Sequence, residues 1–246
     1  MNILVLGNSQ VGALKSGYDN IQEKLSSMIK LSFLAIPEVY FCHFSLNGDQ
    51  LKIPLRLRDF ISSNFDEIEN SLDLSTYDYI IIAAGLSPLS PHLLYKRRLS
   101  SIRLHSRSVL QASISTPPTW WSPILRTSQI CFDIIDTFRE KVIFIGNVLP
   151  GPEVPLIKLI NAASDELQNI VQANSDNIRE LVSQTSILGS SKIILPPKNA
   201  LGINQISLKS EYFVNGVRFN GDLSGNQWHA NSSYGALMIN TILSNL

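Results

Sequence analysis

The feature that most limits the fold is the unbroken apolar run Tyr79-Ile80-Ile81-Ile82-Ala83-Ala84, in a segment predicted as a strand at residues 78–84. A strand that is apolar on both faces is typical of the buried centre of a parallel sheet. Other short segments rich in Ile, Val, Phe or Tyr lie at residues 2–6, 39–45, 141–146 and 192–195. Helical spacing of apolar residues recurs between them and after the last, at about 11–30, 56–72, 92–115, 155–187 and 231–244. This alternation predicts an α/β fold with a mostly parallel five-stranded sheet.

The length, charge and apolar runs of the chain limit the kinds of partner that it can bind. The 246 residues fit a single domain over 1–246, with a formal net charge of +0 and 16% charged residues. We expect a small-molecule ligand and no nucleic-acid or membrane partner, since no apolar run approaches the roughly 20 residues that span a bilayer. Cys42 and Cys131 lie in apolar stretches without metal-ligand spacing. They predict buried thiols in a reducing, cytoplasmic compartment and no metal site. We also expect no cofactor. The oligomeric state stays open.

Ser9 is the first candidate catalytic residue. It lies in the sequence Gly7-Asn8-Ser9-Gln10-Val11-Gly12, between the first strand and the first helix. Backbone N–H groups at such a turn point outward and favour negative charge. A hydroxyl placed there can attack a carbonyl carbon. The alternatives are that Ser9 only caps the helix, or that the turn cradles a phosphate. The turn does not match a P-loop, because no lysine follows the second glycine.

His229 is the candidate base. It lies in the polar segment 222–235, directly before the C-terminal helical pattern. A serine nucleophile needs a base within hydrogen-bond reach, and the base needs a group that fixes its tautomer. A lone loop histidine is otherwise simply solvated.

Gly7-Asn8-Ser9 after the first strand and His229 before a C-terminal helix together resemble the SGNH hydrolase superfamily, also called GDSL esterases and lipases. The resemblance spans most of the chain. It implies a flavodoxin-like three-layer α/β/α sandwich, with Ser9 as nucleophile and His229 as base. The family has Asp where this chain has Asn8.

Two further blocks of the family differ here. The family's Asp-x-x-His places an acid three residues before the histidine, where this chain has Asn226; Asp222 is the alternative partner for the imidazole. The family's Gly-x-Asn-Asp corresponds to Gly85-Leu86-Ser87-Pro88, so the Ser87 hydroxyl takes the place of the asparagine that donates to the oxyanion. We expect Gly85, Ser87 and Asn8 to line the oxyanion or substrate site.

Several other features have a structural and a functional interpretation. Asn47-Gly48 predicts a hairpin with a type I′ turn, while Gly12 and Gly17 predict close packing at the start of the first helix. Trp120 and Trp121 suit either core packing or stacking on a sugar ring. The basic residues of 96–107 suit a solvated helix face or a grip on phosphate or sugar acids.

The resulting expectation is an ester hydrolase or acyl transferase that acts through a serine acyl-enzyme. Its substrates would be small O-acyl groups, such as acetyl, on a carbohydrate or related metabolite. The alternative is a binding protein that keeps the fold but has lost the catalytic acid and asparagine.

Overall fold

The structure, a computed structural model, describes residues 1–63, 71–83, 129–146, 148–149, 151–153, 192–202, 205, 207–213 and 229–246. It also describes ten single or paired positions between 157 and 176, which are helical except for a turn at Ala162. Within these residues, no helix combines the length and apolarity that crossing a membrane requires. The predicted helix at 92–115 and most of the one at 155–187 lie outside them.

The main sheet contains six described strands: β1 (Asn2–Gly7), β2 (Lys30–Ala35), β5 (Ser62–Ser63), β7 (Tyr79–Ala83), β8 (Val142–Ile145) and β9 (Lys192–Ile194). Five of them are parallel, in the order β2-β1-β7-β8-β9, and β5 is added antiparallel to β2 at the edge. Numbered by their own succession, the parallel strands have the order 2-1-3-4-5, which is that of a flavodoxin-like sheet. The predicted α/β class and five-stranded parallel sheet are confirmed.

Alternate residues of each strand face two different apolar layers. Ile3, Val5 and Ile81 pack with helices α1 (Gln10–Ile21) and α3 (Ser232–Leu243), whereas Leu4 and Ile80 pack with helix α2 (Gln129–Phe138). A strand covered on both sides reads as a continuous apolar run, which explains the Ile80-Ile81-Ile82 segment. The molecule is therefore a three-layer α/β/α sandwich.

Helices α1 and α3 touch backbone to backbone where two glycines meet. A Cβ atom built on Gly17 would lie 2.6 Å from the Gly235 Cα, and one built on Gly235 would lie 2.6 Å from the Ala13 carbonyl carbon. Any side chain here would force the helices apart. The prediction for Gly17 is confirmed, but the one for Gly12 is wrong, because a Cβ on Gly12 would meet nothing within 4 Å.

The second strand is not where the sequence placed it. The predicted strand at 39–45 is largely a 3₁₀ helix, Glu38–His43, and the second strand is β2 at Lys30–Ala35. The first helix correspondingly ends at Ile21, before a short 3₁₀ helix at Gln22–Lys24, and does not extend to residue 30. Leu25 and Met28 continue the helical spacing by chance, since both follow the end of α1 and Met28 is 77% exposed.

The predicted helix at 56–72 is also wrong at the residues of this range that the structure describes. A 3₁₀ helix at Leu55–Phe60 leads to β5, and after the undescribed residues 64–70 comes β6 (Ser71–Asp73). β6 pairs with a hairpin of β3 (Ser45–Asn47) and β4 (Gln50–Lys52). The hairpin is confirmed, but its central residues are Gly48 and Asp49. Only Gly48 has a positive φ, +57°, which is typical of a type II′ turn and not of the predicted type I′.

The two cysteines have different surroundings. Cys131 is buried on α2, as predicted, whereas Cys42 is exposed. No disulfide joins them.

Candidate functional site

Ser9 follows β1 at the carboxyl edge of the sheet, one residue before α1 begins. From β1 the chain goes to β2 on one side and later to β7 on the other, so β1 and β7 flank the topological switch point. Ligands of open α/β sheets bind in the crevice at this point. Gly7 allows β1 and β7 to approach here, because a Cβ on it would lie 2.7 Å from the Ala83 carbonyl carbon and 2.8 Å from the Ala83 Cβ.

Asn8 holds the turn in place. It is only 7% exposed, its N–H donates to the Ala83 carbonyl at 3.2 Å, and its Oδ1 accepts from the Gln10 N–H at 3.1 Å. The Asn8 side chain therefore bonds the start of α1, which is the bond expected of a helix-capping residue. The side chain of Ser9, in contrast, makes no capping hydrogen bond and is exposed.

The N–H groups of the turn are nearly all used internally. Those of Asn8 and Gln10 are bonded as described, the Val11 N–H donates to the Asn8 carbonyl at 3.0 Å, and the Gly12 N–H donates to the Ser9 carbonyl at 3.2 Å. Within the described part of the chain the Ser9 N–H has no acceptor. It adjoins the exposed Ser9 hydroxyl at a helix N-terminus, where partial positive charge favours an anionic oxygen.

Gln10 joins this turn to the loop after β8. Its Oε1 accepts the Val148 N–H at 2.6 Å, which brings the two strand-end loops together. Gln10 is not among the residues that the sequence predicts for the site. A glutamine beside a serine carries no signal of a partner 138 positions away, so only the folded chain identifies it.

The backbone around His229 is fixed by its neighbours. Ala230 forms an antiparallel bridge with Phe213, and the Asn231 N–H donates to the Tyr212 carbonyl at 2.8 Å. The Asn231 side chain caps α3 by accepting from the Tyr234 N–H at 3.2 Å, and its Nδ2 donates to the Glu211 carbonyl at 2.7 Å. His229 itself is exposed.

Tyr212, whose carbonyl accepts from Asn231, is half-buried and adjoins the exposed Glu211. Partial burial raises the pKa of Tyr212, and the Glu211 carboxylate adds to that effect. Tyr212 contacts the buried Tyr234 edge to face, with ring centroids 6.0 Å apart.

Ser9 and His229 are brought to the starts of two helices that touch. Each precedes its helix by three residues or fewer, and the helices meet at Gly17, about two turns into α1, and at Gly235, about one turn into α3. Val11 and Ala230, near the two candidates, belong to one buried cluster. No hydrogen bond joins the Ser9 and His229 side chains among the described contacts. Catalytic hydrogen bonds are often long without substrate and shorten when it binds.

The other predicted site residues lie outside the described part of the chain. Gly85 and Ser87 belong to the undescribed stretch 84–128, as do Trp120, Trp121 and the basic residues of 96–107; Asp222 and Asn226 belong to 214–228. Among the described residues, no group of three or more His, Cys, Asp or Glu side chains is placed to hold a metal ion.

These features define a doubly wound α/β protein that exposes a serine at its switch point. No protein-family model and no curated protein matches the sequence. A solved structure from Streptococcus pneumonia, provisionally described as a platelet activating factor, is similar over 99% of this chain and 83% of its own. The identity is 14% and the TM-score 0.43.

Proposed function

We propose that this protein is an ester hydrolase or acyl transferase that works through an acyl-enzyme on Ser9. The observation that carries the proposal is that Asn8 and Ser9 have different hydrogen-bonding roles in the turn. Asn8 supplies the hydrogen bond to the first helical turn, which leaves the Ser9 hydroxyl exposed and its N–H without an acceptor in the described chain. A nucleophile and an oxyanion donor then belong to the same residue.

In the first step, the Ser9 Oγ attacks the ester carbonyl carbon and passes its proton to His229. The carbonyl π bond opens, and the negative charge on its oxygen is met by the Ser9 N–H at the N-terminus of α1. Donors aimed at such an oxyanion contribute about 10²–10³-fold each to the rate. His229 as general base contributes about 10²–10⁴-fold.

The tetrahedral intermediate then collapses. Its bond to the leaving alkoxide breaks, and the alkoxide takes the proton from His229, which leaves the acyl group on Ser9. Water, or a second alcohol in the case of transfer, gives its proton to His229 and attacks the acyl carbon. Breakage of the bond to Ser9 Oγ, with return of the proton, restores the enzyme. How well water is excluded decides between hydrolysis and transfer.

The proposed substrates are small acyl esters, such as acetyl, of a carbohydrate or related metabolite. Support comes from the resemblance of Gly7-Asn8-Ser9 and His229 to the SGNH blocks and from the near-zero net charge. Asn226 or Asp222 would orient His229, and Ser87 with Gly85 would complete the oxyanion site.

The test is turnover of acetylated sugars by the full chain. We expect acetate release by the wild type and a loss on the order of 10⁴-fold or more in Ser9→Ala. Ser16→Ala is the matched control, because Ser16 is an exposed serine on the same helix. Equal rates in wild type and Ser9→Ala would contradict the proposal. A folded wild type that binds acetylated sugars without releasing acetate would identify a binding protein.

A further inference from the structure

A second group of side chains with binding chemistry lies at the same edge of the sheet as Ser9. Its members, called here the aromatic–arginine cluster, are Tyr40, His43, Arg56 and Phe60. The Tyr40 and Phe60 ring centroids are 4.9 Å apart, and those of Tyr40 and His43 are 6.4 Å apart. The Arg56 Nη2 lies 3.1 Å from the His43 Nδ1. None of these four residues is predicted from the sequence to belong to a site.

The cluster lies beyond the carboxyl end of β2, beside the strand that leads to Ser9. The Ile36 N–H donates to the Gly7 carbonyl at 2.7 Å, so the chain leaving β2 runs against the end of β1. The 3₁₀ helix Glu38–His43 follows directly. On the other side, Ser62 pairs with Ala35 in antiparallel register. Phe60 therefore also lies past the end of β2. Adjacent strands are about 4.8 Å apart, so the cluster and Ser9 share one edge of the sheet.

The aromatic part of the cluster is exposed to a degree that packing does not explain. Phe60 is 52% exposed, and Leu55 on the same 3₁₀ helix is 63% exposed. Tyr40 is half-buried and packs against the core, which fixes the ring that Phe60 contacts. The rings of Phe60 and Tyr40 thus present a fixed apolar face to solvent. The C–H face of a sugar ring is a suitable partner for such a face.

The polar part of the cluster offers donors. A guanidinium has only donors, so its bond to His43 Nδ1 requires that nitrogen to accept and places the imidazole proton on Nε2. The other N–H groups of the Arg56 guanidinium can donate to a ligand. Arg56 forms no ion pair within the part of the chain that the structure describes. Asp59 and Arg58 are the other charged residues of this 3₁₀ helix. A guanidinium with free donors binds a carboxylate in two-pronged geometry.

We propose that the aromatic–arginine cluster is a subsite for an acidic carbohydrate, in which Arg56 and the His43 Nε2–H bind the carboxylate and Phe60 and Tyr40 contact the sugar ring. The shared sheet edge then directs an ester on a neighbouring position of that carbohydrate toward Ser9. This last point rests on the proposed function, whereas the binding of the acidic sugar does not.

The test measures binding without turnover, by saturation-transfer NMR with glucuronate as the probe. Glucose is the neutral match, and acetate is the carboxylate without a ring. We expect glucuronate to bind more tightly than both and to receive saturation from the aromatic protons. Arg56→Gln should weaken glucuronate binding about tenfold or more, the effect of one charge-assisted pair. Phe60→Ala should weaken glucuronate and glucose alike.

Arg139→Gln is the matched control, because Arg139 is an exposed arginine beyond the end of α2 and just before β8, at the opposite edge of the sheet. All three replaced side chains are exposed, so the variants should keep the wild-type Tm. Equal binding of glucuronate and glucose, or equal losses in Arg56→Gln and Arg139→Gln, would overturn the subsite. Acetate binding as tightly as glucuronate would overturn the role of the rings. Reactivity of Ser9 with a fluorophosphonate is measured separately, so failure of the nucleophile and failure of the subsite are distinguished.

Discussion

Replacing Gly7 by alanine tests the account of the switch point, because it adds one methyl group where β1 meets β7. The new Cβ would lie 2.7 Å from the Ala83 carbonyl carbon and 2.8 Å from its Cβ, and closer still to the carbonyl oxygen. Backbone atoms cannot rotate aside, so the two strand ends must separate. Overpacking of this kind costs about 1–3 kcal/mol, and we expect the upper end.

Gly12→Ala is the matched control, made five residues away. A Cβ on Gly12 meets nothing within 4 Å, and the residue lies in the first turn of α1. Alanine there should stabilise the protein by about 0.4–1 kcal/mol, since it restricts the unfolded chain and favours helix. The two substitutions add the same methyl group and should have opposite signs.

The assay is thermal unfolding followed by circular dichroism. In a chain of this size 1 kcal/mol corresponds to about 2–4 °C in Tm. Gly7→Ala should therefore lower the Tm by about 6–12 °C, and Gly12→Ala should raise it by about 1–4 °C. Because Gly7 precedes Asn8 and Ser9, Gly7→Ala should also slow the modification of Ser9. A Gly7→Ala variant as stable as the wild type would show that β1 and β7 do not meet as described.

Four further outcomes are expected. His229→Ala should lower acetate release about 10²–10⁴-fold at unchanged Tm, and a wild-type rate would remove His229 from the mechanism. Asp222→Asn should slow turnover if Asp222 orients the imidazole, whereas an unchanged rate combined with a slow Asn226→Ala would assign that role to Asn226. Asn231→Ala removes the cap of α3 and a bond to a backbone carbonyl, so it should cost about 2 kcal/mol and lower the Tm about 4–8 °C; a shift under about 1 °C would contradict this. The Ser75 hydroxyl and N–H lower the pKa of Asp73 below its usual 3.8; its stabilising effect is present above that value and is lost as the pH falls through the lowered pKa. Asp73→Asn should flatten the decline of Tm as the pH falls below 3.8, and an unaltered decline would exclude this contribution.

The parts of the fold that the sequence predicted are those with one dominant local signal. The strand at Tyr79–Ala83 is apolar on both faces, and the helix at Ser232–Leu243 follows a clear capping residue, Asn231. Because successive parallel strands with crossovers between them form a small set of topologies, these segments were enough to predict the α/β class.

The segments that were predicted wrongly contain residues typical of another kind of secondary structure. β2 contains Ser32, which is only 8% exposed and hydrogen-bonds the Tyr77 side chain, so a buried polar residue interrupted the apolar pattern of a strand. Pro37 precedes the Glu38–His43 3₁₀ helix, whose aromatic residues resemble a strand in composition. Tertiary contacts decided both cases, and such contacts are not visible in a local window.

The site was predicted to the extent that its chemistry is local. Gly7, Asn8 and Ser9 are consecutive, and their roles follow from the geometry of one turn. The bond from Val148 to Gln10 and the contact of Tyr40 with Phe60 join positions that are distant along the chain. They become apparent only when the carboxyl ends of the strands are assembled at one edge.

The central claim is that Ser9 is an activated nucleophile, and intact-mass analysis after treatment with a small fluorophosphonate tests it most directly. The wild type and Ser16→Ala should each gain one adduct under native conditions, whereas Ser9→Ala should gain none. A folded wild type that stays unmodified, or an adduct that persists in Ser9→Ala, would contradict the account.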